Sequence, residues 1–304
     1  MTPMHRIASA ATSLTARDTG LLADLYAYRY LSVSQVEALH FPSRQTAYRR
    51  LRALVAGKFI AGFTAPHIPE RLYHLTDRGV AEVAAHLGVS AGELSWHRHS
   101  RAPKDYYFLR HFLRVSDFRI RLARDCAGSA DWRLLGFLPE YLGKQSAEGS
   151  GSLAKHIRDV VTGSGDPNEK LAHTPDATFA LGKGAGAALF FLEIDRGTEV
   201  VSDESKGVLK CLRFYCRYLI EGRYERYRQD FGNAPFKGFR MLFVTTGESR
   251  IAHIREAARA ISPESAKAKR FIWLSTWDRV ESSGVLQNSW VSADLDDPTA
   301  YRIG

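Results

Sequence analysis

Three carboxylates in the second half of the chain have a spacing that could support metal chemistry. Asp176 opens one strand-like run, and Glu193 and Asp195 end the next. Because side chains two positions apart in a strand share a face, Glu193 and Asp195 point the same way. Residues 189–194 are otherwise apolar, which indicates a central strand, where an acid is costly unless it is paired or bound to a cation. These acids therefore predict a Mg²⁺ site.

An ion-pair cluster without any metal fits the same acids. In that interpretation Asp195 or Glu193 pairs with a cation that follows in the chain: Arg196, Lys206 or Lys210. Spacing alone does not decide between the two interpretations.

A second kind of chemistry lies in the first half of the chain, on an Arg-rich segment at residues 44–56. If this segment is a helix, one polar face lies opposite the apolar one. Arg can donate two hydrogen bonds to guanine, and Gln can pair in the same way with adenine. The face predicted to read base edges consists of Gln45, Arg49 and Arg52. The flanking side chains predicted to contact phosphates are Ser43, Tyr48 and Arg50.

Helix-start signals position this segment. Thr15 with Asp18, and Ser32 with Gln35, have the spacing of a capping box. Ser43 caps the Arg-rich helix, and Gly57 ends it. Residues 59–63 and 71–75 read as strands around a Pro-containing loop, and a fourth helix follows. Residues 1–94 are therefore predicted to form a winged helix-turn-helix, although such folds also serve as protein-interaction modules.

The charge distribution favours a polyanionic partner for this module. Of the net charge of +9, most lies in residues 1–125, which hold 18 Lys and Arg against 10 Asp and Glu. Double-stranded DNA is the expected partner. No segment has the features of a signal peptide or a membrane span, so we expect a cytoplasmic protein without a membrane partner. The three cysteines form no CxxC pair, which predicts reduced core residues rather than a disulfide or a tetrahedral zinc site.

The rest of the chain predicts a second, α/β domain. After a linker at residues 95–105, residues 106–304 read as helix, three strands, helix, strand, helix, strand. Residues 143–173, rich in Gly, Ser and charge, are expected to be a mobile insertion with at most a short strand at 156–161. Residues 182–186 resemble a nucleotide-binding loop but join two strands, so a hairpin turn is expected. The predicted fold class is α+β, with a central mixed sheet in the second domain.

The element order, together with Pro175-Asp176 and Glu193-Ile194-Asp195, resembles the PD-(D/E)XK nuclease superfamily. That resemblance implies a restriction-endonuclease-like domain in which Asp176 and Glu193 bind Mg²⁺ and a lysine two positions after Glu193 orients water. Here Asp195 stands at that position. Lys206 or Lys210 would have to replace the lysine, and Glu140 would complete the metal site.

Four segments of the chain carry a more extensive resemblance: Leu14-Thr15-Ala16-Arg17-Asp18, Tyr73-His74-Leu75-Thr76-Asp77-Arg78-Gly79, Pro175-Asp176-Ala177 and residues 190–199. Together they resemble the replication-relaxation family of plasmids and mobile elements. The resemblance implies a DNA-binding accessory protein of plasmid replication or mobilisation. A relaxase or replication protein, or a second copy of the chain, is a further expected partner. Two alternatives stay open: a Mg²⁺-dependent endonuclease and a protein-interaction adaptor.

Overall fold

The computed structural model describes residues 13–94, 96, 98, 106–140, 157–162, 170–197, 200–201, 207–261 and 266–304. The chain divides into two compact units, Met1–Ser116 and Asp117–Gly304. Among the described residues, no helix combines the length and the apolar character needed to cross a membrane.

The first unit begins with helices and short strands in alternation. In chain order its elements are α1 (Ala16–Tyr28), β1 (Leu31–Ser32), α2 (Val33–His40), α3 (Arg44–Ala56), β2 (Ile60–Phe63), β3 (Leu72–Leu75) and α4 (Asp77–Leu87). Both predicted capping boxes are present, at Thr15 with Asp18 and at Ser32 with Gln35. The predicted bounds of α3 and its Ser43 cap are also confirmed.

A three-stranded antiparallel sheet in the order β1-β3-β2 completes this unit. The apolar faces of the helices form its core, in which the buried residues include Leu21, Leu25, Val36, Leu51 and Leu54. Helical spacing in the sequence predicted these positions because side chains three or four residues apart share one face of a helix.

The division between the units falls inside α5 (Tyr106–Ala127). Most of the linker predicted at residues 95–105 lies outside the described residues. The start of α5 contacts other residues of the first unit. The Phe112 ring lies 5.5 Å from the ring of Tyr30, edge to face. The Gln35 side-chain amide donates to the carbonyl of Leu113 at 3.1 Å.

The second unit contains a central seven-stranded mixed sheet, which confirms the predicted fold class at that level. The strands are ordered β12-β11-β10-β9-β8-β7-β4. Their ranges are β4 (Trp132–Pro139), β7 (Ala177–Lys183), β8 (Gly186–Ile194), β9 (Phe239–Thr245), β10 (Ile272–Thr276), β11 (Trp290–Ser292) and β12 (Ala300–Tyr301). β8, β9 and β10 run parallel to one another, and the remaining neighbours are antiparallel.

α-Helices and 3-10 helices connect these strands. They are α6 (Val208–Ile220), a 3-10 helix (Arg223–Phe231), α7 (Glu248–Ala257), a 3-10 helix (Ala258–Ala260), α8 (Ala266–Lys269) and α9 (Trp277–Ser283). The glycine-containing segment at 184–185 is the turn between β7 and β8, as predicted. The sequence did not predict α9, β11 or β12, since the two strands are only three and two residues long.

Within the region predicted as a mobile insertion, the described residues 157–162 and 170–173 contain a pair of strands. They are β5 (Asp159–Thr162) and β6 (Lys170–His173), which pair antiparallel as a separate sheet. Only one short strand was expected there. A carboxylate anchors the hairpin, because Asp159 accepts hydrogen bonds from Tyr218, Tyr227 and Arg226 at 2.9 to 3.0 Å.

Candidate functional site

The polar face of α3 is exposed and unused within the first unit. Gln45, Arg49 and Arg52 are all exposed, and Tyr48 is 42% exposed. In the part of the first unit that the structure describes, the side chains of Gln45, Arg49 and Arg52 have no hydrogen bond or ion pair. Hydrogen-bond donors without an internal partner are available to bind another molecule.

Arg50 differs from its neighbours because its guanidinium is committed inside the unit. It donates from Nε to Asp18 Oδ1 at 2.6 Å and from Nη2 to Asp18 Oδ2 at 2.5 Å. Asp18 is 1% exposed. Burial acts to raise the pKa of Asp18, but hydrogen bonds from Arg50 and Thr15 outweigh it and lower the pKa below its ordinary value. Arg50 therefore ties α3 to the start of α1, and its predicted phosphate contact remains a prediction.

Ser43 and Arg44 also have structural roles at the start of α3. The Ser43 hydroxyl accepts from the Thr46 amide at 3.4 Å, as an N-cap does. Arg44 donates to Ser34 and Glu70 at 2.8 and 2.5 Å, and so joins α3, α2 and the loop before β3. Burial acts against ionisation of Glu70, yet hydrogen bonds from Ser34, Ser32 and Arg44 lower its pKa to about 2.

A cavity beside this face adds a cation that sequence analysis did not assign. It has a volume of about 370 Å³ and is lined by Arg17, Arg49 and Arg50, together with Thr15 and Thr46. Arg17 is exposed, with its guanidinium 5.4 Å from the ring of Phe41. Its only sequence signal was its place in the Leu14-Thr15-Ala16-Arg17-Asp18 segment. Asp18 also lines the cavity, but its carboxylate is paired with Arg50. The remaining cations and hydroxyl groups suit an anion such as phosphate.

In the second unit, strand pairing brings the predicted acids to one end of the sheet. Ala177 of β7 pairs with Leu192 of β8, so Asp176 lies beside the end of β8. Asp176 Oδ2 accepts from the Ile194 amide at 2.7 Å. The Glu140 amide donates to the Asp176 carbonyl at 2.9 Å, which places Glu140, just after β4, at the same end. The backbones of Asp176, Glu193 and Glu140 thus lie at the same end of the sheet, and their role as metal ligands stays a prediction.

Glu193 has neighbours of a different kind from those predicted. Its Oε1 lies 2.6 Å from His173 Nε2 and accepts from the Tyr215 hydroxyl at 2.7 Å. The Cys211 Sγ lies 3.8 Å from the same nitrogen of His173. Burial raises the pKa of Glu193, the charge of Asp176 acts in the same direction, and His173 and Tyr215 oppose both.

Asp195 is held in a buried ion pair. Both of its oxygens accept from Arg250, at 2.8 and 3.1 Å, and Thr245 and the Gly197 amide complete the set. The Asp195 side chain is 2% exposed. The structure thus places Asp195 in the ion-pair interpretation, with Arg250 as a partner that the sequence did not suggest. All of these contacts compete with its predicted role as a metal ligand.

The lysines proposed to replace the nuclease lysine receive no support. Lys206 lies outside the described residues. Lys210 is half-buried on α6, and within the described chain no hydrogen bond or ion pair joins it to Asp176 or Glu193. Mg²⁺ prefers an octahedron of oxygens, whereas the groups around Glu193 include an imidazole and a thiol. The residues present do not fit the Mg²⁺ site of the nuclease pattern, and we derive no cleavage step from them.

Sequence reasoning missed His173, Cys211 and Tyr215. His173 lies in the segment taken for a mobile insertion, and the two α6 residues read as ordinary positions of a buried helix face. No local motif joins these three to Glu193, because β6, α6 and β8 supply the four residues from separate parts of the chain. Only the fold brings them together.

Comparison with known proteins agrees with the longer of the two sequence resemblances. The model of the family described as replication-relaxation matches residues 22–233. No curated protein and no solved structure matches the chain. Because the family match covers more than half of the chain, from α1 into the second unit, the protein belongs to the replication-relaxation family.

Proposed function

We propose that this protein binds double-stranded DNA through α3 and acts as an accessory protein in the replication or mobilisation of a plasmid or other mobile element. The observation that carries the proposal is the exposed face of Gln45, Arg49 and Arg52, whose donors have no partner within the described first unit. Family membership supports the biological setting.

The element order of the first unit supports this role. Three helices, with β1 between the first two, precede the β2–β3 hairpin, and this is the order of a winged helix-turn-helix. Only residues 41–43 separate α2 from α3. In that motif the second helix of the pair enters the major groove, and here that helix is α3. The loop at residues 64–71 corresponds to the wing.

The contacts described above separate the residues proposed to contact DNA from those that position α3. Gln45, Arg49 and Arg52 have the donor geometry to read base edges. Tyr48 flanks them, and we add Arg17 as a phosphate contact because it lines the cavity beside Arg49. Ser43 and Arg50 act by positioning α3.

An anisotropy titration tests the proposal on the full-length protein, with a labelled duplex selected from a random library. Arg49→Ala should weaken binding to the selected duplex by about 1 to 3 kcal/mol, the usual loss for a bidentate base contact. Arg259→Ala is the matched control, because this substitution removes the same charge from the second unit, where the Arg259 side chain is 61% exposed. Equal affinities of the two variants would contradict the assignment of α3 as the recognition helix.

DNA cleavage is the second candidate function. It is favoured by the order α5, three antiparallel strands of the central sheet, α6 and β9, which resembles the nuclease pattern once the β5–β6 pair is set aside. The position of Asp176 beside the end of β8 also favours it. The ion pair of Asp195 with Arg250 weighs against cleavage, because nucleases of this pattern have their lysine at the position that Asp195 occupies here.

A protein-interaction adaptor is the remaining alternative. A pure adaptor that docks on a relaxase or replication protein would show no DNA binding at low salt.

A further inference from the structure

The contacts of His173 form a cluster that no residue-spacing rule detected. One ligand atom from each of His173, Glu193 and Cys211 lies within 4.8 Å of the other two. They come from the end of β6, from β8 and from the first turn of α6. The side chains of His173 and Glu193 are 22% and 12% exposed, and Cys211 is buried. Three ligand-type groups thus converge in a largely enclosed place.

The donor types identify the class of ion that suits the cluster. Imidazole, thiolate and carboxylate together are the donors of a zinc site, whereas Mg²⁺ takes oxygen almost alone. From zinc bond lengths of about 2.0 to 2.3 Å, tetrahedral ligand atoms lie roughly 3.3 to 3.7 Å apart. The nitrogen–sulfur distance of 3.8 Å is close to this value. The nitrogen–oxygen distance of 2.6 Å is that of a hydrogen bond and must lengthen by less than about 1 Å to admit an ion. The sulfur–oxygen separation is at most 4.8 Å and must come into the same tetrahedral range.

A supporting group already orients the carboxylate. The Tyr215 hydroxyl donates to Glu193 Oε1 at 2.7 Å. In metal sites, hydrogen bonds of this kind hold the ligating side chain in its orientation. Tyr215 is buried, one turn after Cys211 on the same face of α6. The ligand Glu193 is therefore held in place by the helix that supplies the ligand Cys211.

We infer that His173, Glu193 and Cys211 bind one Zn²⁺-type transition-metal ion, with the fourth coordination position left to water or another ligand. The ion joins the β5–β6 hairpin to β8 and α6, so it adds a cross-link within the second unit. The cysteine thiol must lose its proton, and His173 must be neutral, so affinity falls as the pH falls.

The test uses the full-length protein freed of metal with a chelator and then titrated with Co²⁺, which reports thiolate ligation by a charge-transfer band in the near ultraviolet. Wild-type protein should develop this band at one equivalent of Co²⁺, and Zn²⁺ should displace it. Cys211→Ser should lose the band. Cys216→Ser is the matched control: Cys216 is buried on the same helix, and this variant should keep the band.

A second variant keeps the inference testable if Cys211→Ser fails to fold. Tyr215→Phe preserves the ring in the core and removes only the donor to Glu193, so it should weaken Zn²⁺ binding by about 10- to 100-fold. Absence of the band in wild-type protein, or an equal band in wild-type and Cys211→Ser proteins, would overturn the inference. DNA affinity of the wild-type and Cys211→Ser proteins should be equal, so this result and that of the Arg49 test are independent.

Discussion

Neighbouring residues on α3 are expected to have different roles although their side chains are identical. Arg49 projects from the unit without an intramolecular partner among the described residues, whereas Arg50 pairs with the buried carboxylate of Asp18. Sequence position could separate them only by helical phase. Arg50 has an internal partner because Asp18 of α1 lies beside it. No local sequence pattern indicates that α1 and α3 are neighbours at this point.

Arg50→Ala is therefore expected to affect stability. Removing Arg50 leaves the buried Asp18 charge without compensation, so the free energy of unfolding should fall. We expect a loss of about 1 to 3 kcal/mol, which is less than for a fully buried pair because the Arg50 side chain is 26% exposed. Urea denaturation measures this loss, with Arg49→Ala as the control that should unfold like wild type. An Arg50→Ala protein of unchanged stability but weaker DNA binding would instead support the original phosphate-contact prediction.

At the scale of elements, helix boundaries and the core of the first unit could be predicted because capping boxes and apolar spacing are local signals. The position of β5 and β6 could not, since a Gly- and Ser-rich region around them obscured the pattern and Asp159 is held by side chains more than fifty residues away. The cluster of His173, Glu193 and Cys211 could not be predicted either, because its residues are far apart in the sequence. Cysteine spacing detects two ligands in one loop, whereas Cys211 lies beside His173 and Glu193 only in the folded chain.

The Thr76-Asp77-Arg78-Gly79 segment shows how one glycine sets the packing of α4. A Cβ at Gly79 would lie 2.1 Å from the Phe59 carbonyl oxygen, a backbone atom that cannot move without shifting the chain before β2. Gly79→Ala should therefore destabilise the protein by about 1 to 3 kcal/mol, as overpacking does. Gly92→Ala is the control, because a Cβ there meets nothing within 4 Å. Equal melting temperatures for the two variants would contradict this close approach.

The contact between the loop before β3 and the α2–α3 pair predicts a pH dependence. The pKa of Glu70 is lowered from 4.5 to about 2, so its ionised form stabilises the folded state. This contribution is present above pH 4.5 and is lost as the pH falls toward 2. The wild-type melting temperature should exceed that of Glu70→Gln near neutral pH, and the difference should shrink across this range. A difference that stays constant from pH 5 to about pH 2 would show that ionisation of Glu70 is not its cause.

For the whole molecule, the two units differ in what they offer. Among its described residues, the first presents cations and polar donors without an internal partner on one helix, and its charge excess would make the proposed binding to DNA depend on salt. The second contains acids already engaged with Arg250, His173 and Tyr215. This contrast is the physical basis for assigning recognition to the first unit and for expecting no Mg²⁺-dependent chemistry from the second.

That expectation can be tested with supercoiled plasmid and the full-length protein in Mg²⁺ or Mn²⁺. Hydrolysis in the nuclease pattern needs a lysine beside the acids, and the position two residues after Glu193 holds Asp195, whose oxygens accept from Arg250, Thr245 and the Gly197 amide. We therefore expect DNA to be bound but not nicked. Asp176→Ala separates true activity from contamination: nicking by wild-type protein that this variant lacks would make the second unit an endonuclease. Equal traces of nicking in both proteins would come from a contaminant and would agree with the expected absence of cleavage.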